Sequence, residues 1–228
     1  MRPRRGHTPA VFVDRDGTLN REVHYLRRVA DLRLIRGAAA GIRALAGAGF
    51  AVVVVTNQSG VARGLIRPGT LDEIHRTLAR RLARGGAVLA GIYVCPHHPS
   101  EGSPPLRRRC RCRKPAPALV VRAVRELGLD LARSYSVGDS EADLGLAAAT
   151  GTRAVLVRTG HGRRTEASRD PALPVAHVAA NFRAAAEWII DDARSASAQR
   201  RSAFAKRRSV SRKLNGTAEP RRRAQRRR

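Results

Sequence analysis

The sequence predicts an α/β protein, a parallel sheet with helices on both faces, and three observations lead there. Short apolar runs alternate with helix-length segments of about ten residues or more, the pattern of βαβ units. The run Ala51 to Val55 holds four valines and no polar residue, which fits a strand buried on both faces. The segments richest in chemistry each follow directly on a predicted strand, and in open parallel sheets that edge binds ligands.

The elements follow in order. Ala10 to Val13 is a short buried strand running into Asp14-Arg15-Asp16-Gly17-Thr18. Residues 37–48 suit a helix that stops at Gly49. The valine strand ends at Thr56-Asn57-Gln58-Ser59-Gly60. Residues 70–84 place Leu71, Ile74, Leu78 and Leu82 at helical spacing. Gly91 to Val94 is a strand ending at Cys95, and residues 117–127 form a helix stopped by Gly128. Tyr135 to Val137 is a strand ending at Gly138-Asp139. Ala142 to Thr150 is helical, Ala154 to Val157 a strand, and Phe182 to Asp192 a helix. Residues 99–109 carry Pro, Gly and Arg in a pattern that excludes regular structure.

Composition bounds the function. The chain has 228 residues, 43% of them hydrophobic, enough for one core and a tail. Three cysteines cannot make a disulfide framework. No apolar run reaches the roughly 18 residues of a membrane span, and the stretch behind the basic N-terminus is too short for a signal peptide. The expectation is a cytoplasmic protein with no membrane contact, working as a monomer. Net charge is +27, and about half of the excess lies in residues 194–228, which hold 14 Lys+Arg against the single acid Glu219. That segment is expected to be a disordered Arg-rich tail able to make nonspecific polyanion contacts, behind a domain spanning 1–193. Lys114 is the only lysine in that domain, so its position needs an ammonium or keeps one by chance.

Five constellations carry chemistry. Asp14-x-Asp16-Gly17 offers one carboxylate to attack and one to move a proton, or is an acidic turn. Thr56 to Gly60 suits a phosphoryl cradle, or is an ordinary turn with Thr and Ser as caps. Lys114 is a compact point charge on a flexible stem at a position that needs an ammonium, or a lysine surviving by chance. Gly138-Asp139-Ser140-Glu141-Ala142-Asp143 suits Mg²⁺, or is a charged helix start to which Asp143 belongs. Cys95-x-His97 and Cys110-x-Cys112 make a soft donor set for tetrahedral Zn²⁺ that would staple the 95–112 loop; the alternative is buried or redox-active thiols. His98 competes with His97 as the fourth ligand.

Asp14-Arg-Asp16-Gly-Thr18, Thr56-Asn-Gln-Ser-Gly60, Arg113-Lys114-Pro115 and Gly138-Asp139 together resemble the four ordered motifs of the haloacid dehalogenase (HAD) superfamily phosphatases. With Cys95-Pro-His97-His-Pro and Cys110-Arg-Cys112 inserted, the chain is similar to the small zinc-loop branch of that superfamily, which has no large cap domain. The resemblance spans about residues 9–192. It implies a Rossmann-like HAD fold and a Mg²⁺-dependent sugar bisphosphate phosphatase that removes the 7-phosphate of a heptose 1,7-bisphosphate. Histidinol phosphate is the rival substrate within the superfamily; a zinc-stabilised nucleic-acid-binding protein is the rival of another class. By resemblance, Asp14 is the nucleophile that forms an aspartyl-phosphate and Asp16 the acid and base. Asp14, the Asp16 carbonyl and Asp139 hold Mg²⁺, and Thr56 and Lys114 stabilise the phosphoryl group. The resemblance also implies substrate contacts from Asn57, Gln58 and Ser59. Arg113 takes the other phosphate, and Glu22 and Tyr25 touch the sugar.

Overall fold

The structure, a computed structural model, describes the backbone of residues 8–215 and side-chain surroundings for 8–199. One parallel sheet carries six strands: β1 (Thr8–Val13), β2 (Ala51–Asn57), β3 (Gly91–Cys95), β4 (Leu129–Gly138), β5 (Arg153–Val157) and β6 (His177–Ala179). They lie in the order β3-β2-β1-β4-β5-β6. This is the doubly wound Rossmann order, and its crevice opens where the direction of winding reverses, between β1 and β4. The helices are α1 (Ala38–Gly47), α2 (Pro68–Arg84), α3 (Ala118–Leu127), α4 (Glu141–Thr150), α5 (Gly162–Ser168) and α6 (Phe182–Asn215).

Burial explains the register. Ala10 to Val13 and Val52 to Val55 are all at most 2% exposed, so these central strands are apolar on both faces. Val13 pairs with Val54 on one side and Val137 on the other. The Asp14 N–H then bonds the Val137 carbonyl at 2.9 Å, so the chain leaves the sheet at the switch point. α4 starts with a reciprocal cap between Ser140 and Asp143. Gly17 and Gly160, both at positive φ, approach Asp139 so closely that a Cβ on either would collide with its carboxylate.

Three differences from the sequence expectations have physical reasons. β4 begins at Leu129 rather than Tyr135, because Thr8 pairs with Leu129 before a register shift. α5 and β6 were not expected: α5 has no apolar stripe, and β6 is three residues long. Where disorder is expected from Arg194 onward, α6 runs on to Asn215. Ala, Arg, Lys and Gln are good helix formers, and no Gly or Pro interrupts the run before Gly216. Residues 216–228 of the expected tail lie outside the described residues. The chain forms two compact units, 1–190 and 191–228. No described helix is long and apolar enough to cross a membrane.

Candidate active site

The C-terminal ends of β1, β2 and β4 bring Asp14, Asp16, Thr56, Asn57, Gln58, Ser59 and Asp139 around one cavity of about 330 Å³. Lys114 and Arg113 reach it from the loop before α3, and Glu22 and Tyr25 from the loop after β1. Leu26, Gly60, Ser140, Ala142 and His161 complete its wall together with His24, whose φ of 66° is the one positive value of a non-glycine among the described residues.

Lys114 forms the floor. It is 5% exposed, and its Nζ lies 2.6 Å from Asp14 Oδ1, 2.6 Å from Asp143 Oδ1 and 2.8 Å from the Val55 carbonyl. Burial opposes its charge, but Asp14 and then Asp143 outweigh that and hold its pKa above the usual lysine value. Asn57 pins this lysine by its backbone, accepting the Lys114 N–H at 3.0 Å and donating to the Lys114 carbonyl at 3.2 Å. Asp143 spends its second oxygen on the Ser140 hydroxyl, at 2.6 Å. It is both helix cap and lysine clamp, and the Asp139-x-x-x-Asp143 spacing was the visible signal for it.

Two carboxylates carry more negative charge than Lys114 offsets. Burial, then Asp143 and Asp16, raise the Asp14 pKa to about 6 against the pull of Lys114. Burial, then Asp14 and Asp143, raise Asp139 to about 8, against the His161 N–H that Asp139 accepts at 2.7 Å. Carboxylate oxygens of Asp14, Asp139 and Asp143 lie within 4.8 Å of one another. Because both Asp143 oxygens are already bonded, Asp14 and Asp139 are the pair with capacity for a cation. An all-oxygen, net-negative donor set fits Mg²⁺.

Asp16 is held differently. Arg15 Nε and Nη2 fork onto its two oxygens at 3.2 and 2.6 Å, and Asn20 and Gln58 each donate at 2.8 Å. Burial pushes its pKa up, but Arg15 and these hydrogen bonds hold it below the usual carboxylate value. Gln58 also donates to Thr56 Oγ1 at 2.9 Å. The Asn57 and Gln58 side chains are therefore engaged within the protein. Glu22 accepts the His24 N–H. The guanidinium groups of Arg63 and Arg27 lie over the Tyr25 ring, 5.7 and 6.0 Å from its centre.

Beyond the cavity, Cys95, His97, Cys110 and Cys112 converge with their donor atoms within 4.8 Å of one another. Sulfur separations run from 3.3 to 3.6 Å, and His97 Nδ1 lies 3.2 Å from Cys112 Sγ. Zn–S bonds of about 2.3 Å in a tetrahedron put neighbouring sulfurs about 3.8 Å apart, so the set fits zinc. Burial, then Cys112, pushes the Cys95 thiol up, a cost that a bound cation removes. His98 faces elsewhere: its Nδ1 accepts the Glu101 N–H at 2.9 Å and its Nε2 lies 3.0 Å from Arg63.

Comparison with known proteins agrees with this arrangement. A family described as HAD-hyrolase-like matches residues 111–185. The D-glycero-beta-D-manno-heptose-1,7-bisphosphate 7-phosphatase of Yersinia pestis is 40% identical over 185 residues, 80% of this chain and 90% of that protein. The enzyme of the same name from Escherichia coli (strain K12) is 39% identical over 80% of this chain and 88% of its own. The crystal structure of D,D-heptose 1,7-bisphosphate phosphatase from B. bronchiseptica, complexed with magnesium and phosphate, superposes with a TM-score of 0.71. It is 36% identical, and the match covers 81% of this chain and 99% of that one. With four ordered motifs converging at one sheet edge, the chain is a phosphoric monoester hydrolase of the HAD superfamily and belongs to the D-glycero-beta-D-manno-heptose-1,7-bisphosphate 7-phosphatase family.

Proposed function

We propose that this protein removes the 7-phosphate of a D-glycero-D-manno-heptose 1,7-bisphosphate through an aspartyl-phosphate on Asp14. The observation that carries the reading is the Asp14–Lys114 contact at 2.6 Å at the sheet's switch point, beside a second carboxylate, Asp16, held apart from that pair. It is supported by relatives of that name at about 40% identity.

Asp14 attacks phosphorus with its carboxylate, and the bond from phosphorus to the sugar oxygen breaks. Asp16, held ionised by Arg15 in this structure, first takes up a proton from water and then gives it to that oxygen. Water then attacks the aspartyl-phosphate, Asp16 takes the proton back, and Asp14 is freed. Lys114 and Thr56 offset charge on the transferring group, a stabilisation largest in the transition state. Asp14, Asp139 and the Asp16 carbonyl would hold Mg²⁺. That ion supplies neutralisation between the phosphate dianion and the approaching carboxylate. Arg113 holds the remote phosphate, Ser59 lies against the transferring one, and Glu22 and Tyr25 meet the sugar. Zinc on Cys95, His97, Cys110 and Cys112 is structural.

The test is turnover by purified protein with Mg²⁺ on heptose 1,7-bisphosphate, other sugar phosphates and histidinol phosphate. The heptose bisphosphate is expected to give the highest kcat/KM, and Asp14→Asn to lower it at least about 10³-fold with the fold intact. Preference for histidinol phosphate would overturn the substrate; near-normal hydrolysis by Asp14→Asn would overturn the covalent route.

A further inference from the structure

The loop after β1 reverses at His24. The Tyr25 N–H donates to the Val23 carbonyl at 2.8 Å, a hydrogen bond that closes over three residues, and the residue between them has a φ of 66°. This is the γ-turn of positive φ, the rare and strained form. Glycine adopts that region freely, whereas a residue with a Cβ does so at a cost, histidine less reluctantly than most. The Glu22 carboxylate accepts the His24 N–H and holds the turn from its other side.

Strain of this kind persists only where the surroundings impose it, and it gathers at ligand sites. Glu22, His24 and Tyr25 line the same cavity as Asp14 and Lys114. The His24 side chain stands exposed in that wall, and among the described residues its ring nitrogens have no hydrogen-bond partner. Its ring meets Tyr25 edge-on, with centroids 4.7 Å apart. Tyr25 does not depend on that contact, because it is half-buried and has two guanidinium groups over its ring. Holding Tyr25 is therefore a poor reason to keep a strained histidine.

The chemistry of the wall selects what His24 meets. Lys114 on the floor and Arg113 on the wall are the cations for phosphate. Beside His24 stands the Glu22 carboxylate, which repels a phosphate and accepts from a hydroxyl. A neutral imidazole both donates and accepts, as a hydroxyl does. We propose that His24 is a specificity-determining residue that hydrogen-bonds a sugar hydroxyl, and that the strained turn is kept because it sets the imidazole in the cavity wall. The proposal rests on the reading of the cavity as a phosphosugar site and adds to it a contact with the uncharged part of the substrate.

Steady-state kinetics and melting curves of wild type, His24→Gly and His24→Ala test it. The substrates are the sugar phosphate best turned over by wild type and p-nitrophenyl phosphate, which has no hydroxyl on its leaving group. His24→Gly keeps the turn and removes the imidazole. Its KM for the sugar ester should rise about fivefold or more, the scale of one hydrogen bond, with a smaller change in kcat. That rise should exceed the rise on the aryl ester several-fold. The same variant should melt at or above wild type, because glycine relieves the strain. His24→Ala should share its kinetics and melt below it, because alanine keeps the strain.

Wild-type kinetics in His24→Gly, or equal rises in KM on both esters, would overturn the proposal. So would a His24→Gly protein that melts well below wild type, since the imidazole would then be a packing partner of Tyr25. A wild type that hydrolyses the aryl ester and none of a panel of sugar phosphates would sink the phosphosugar reading first, and this contact with it.

Discussion

Asp143 Oδ1 lies 2.6 Å from Lys114 Nζ, the same distance that separates Lys114 from Asp14. The ammonium is thus shared evenly between a carboxylate that caps a helix and one placed to attack phosphorus. Sharing weakens its hold on Asp14 while keeping it in reach of the transferring group. Lys114 and Asp143 are buried and Asp14 is partly so, which makes this chain of alternating charges sensitive to the loss of any one.

Asp143→Asn should therefore lower kcat by about tenfold or more with little change in KM, because Lys114 then binds Asp14 alone and quenches the attacking carboxylate. Lys114→Arg should not sustain turnover, since a planar fork does not replace a point charge held by three oxygens. Steady-state kinetics of both variants, with melting curves, check this. An Asp143→Asn enzyme of normal kcat and lowered melting temperature would leave Asp143 a helix cap only.

His75 provides a pH prediction. Burial, then Arg15, depress its pKa to about 4, against about 6.5 unfolded. A depressed histidine pKa means that the unfolded chain takes up a proton the folded chain refuses. Stability from this group is fully present above pH 6.5 and is lost as pH falls from there toward 4. Melting temperature measured from pH 7 to pH 4 should fall less steeply for His75→Gln than for wild type. The difference between the two proteins isolates His75 from the raised Asp14 and Asp139, whose contribution has the opposite slope. Parallel curves would remove His75 as a source of acid sensitivity.

What was legible in the sequence follows from where the information lies. β1 and β2 are apolar runs cut off by turn residues, and Asp14, Thr56 and Asp139 are readable because each stands at such a boundary. Lys114 stood out through composition, not spacing. The Arg15–His75 contact had no local signal, since its partners are 60 residues apart and only the packing of α2 brings them together. Asn57 and Gln58 line the cavity, and which way an amide side chain turns depends on acceptors elsewhere in the fold. Residues 194–215 show that poverty in apolar residues bears on core formation, while helix propensity is a separate property.

The zinc loop separates its two adjacent histidines. Protein purified without chelator should carry about one zinc per chain. His97→Ala should lose it, since His97 Nδ1 faces Cys95 and Cys112. His98→Ala should keep it, because His98 bonds to Arg63 and the 100–101 backbone instead. Cys110→Ser should lower the melting temperature and weaken activity indirectly. The Gln58 and Ala62 N–H groups bond the Cys95 and Pro96 carbonyls at 2.7 and 3.2 Å, so the zinc loop supports the loop after β2. Metal analysis with thermal melts decides, and zinc retained by His97→Ala would reverse the assignment of the two histidines.

Arg113 and Lys114 are neighbours with different tasks. Lys114 is buried among anions on the cavity floor; Arg113 lines the wall, half-buried, with its Nη1 only 3.4 Å from the His97 carbonyl as a protein partner. A guanidinium so lightly engaged is free to take a phosphate with both arms. That contact exists before and during phosphoryl transfer, so it lowers KM without changing kcat. Arg113→Ala should raise KM for a 1,7-bisphosphate by about tenfold or more, the scale of one charge-assisted pair, and leave kcat near normal. For the 7-monophosphate, which has no second phosphate to hold, KM should change by less than about threefold. Lys114→Ala, measured in parallel, should lower kcat on both substrates by about 10²-fold or more. An equal effect of Arg113→Ala on bisphosphate and monophosphate would show that Arg113 does not bind the remote phosphate. The preference for a bisphosphate would then have to come from His24, His161 or Ser140 on the same cavity wall.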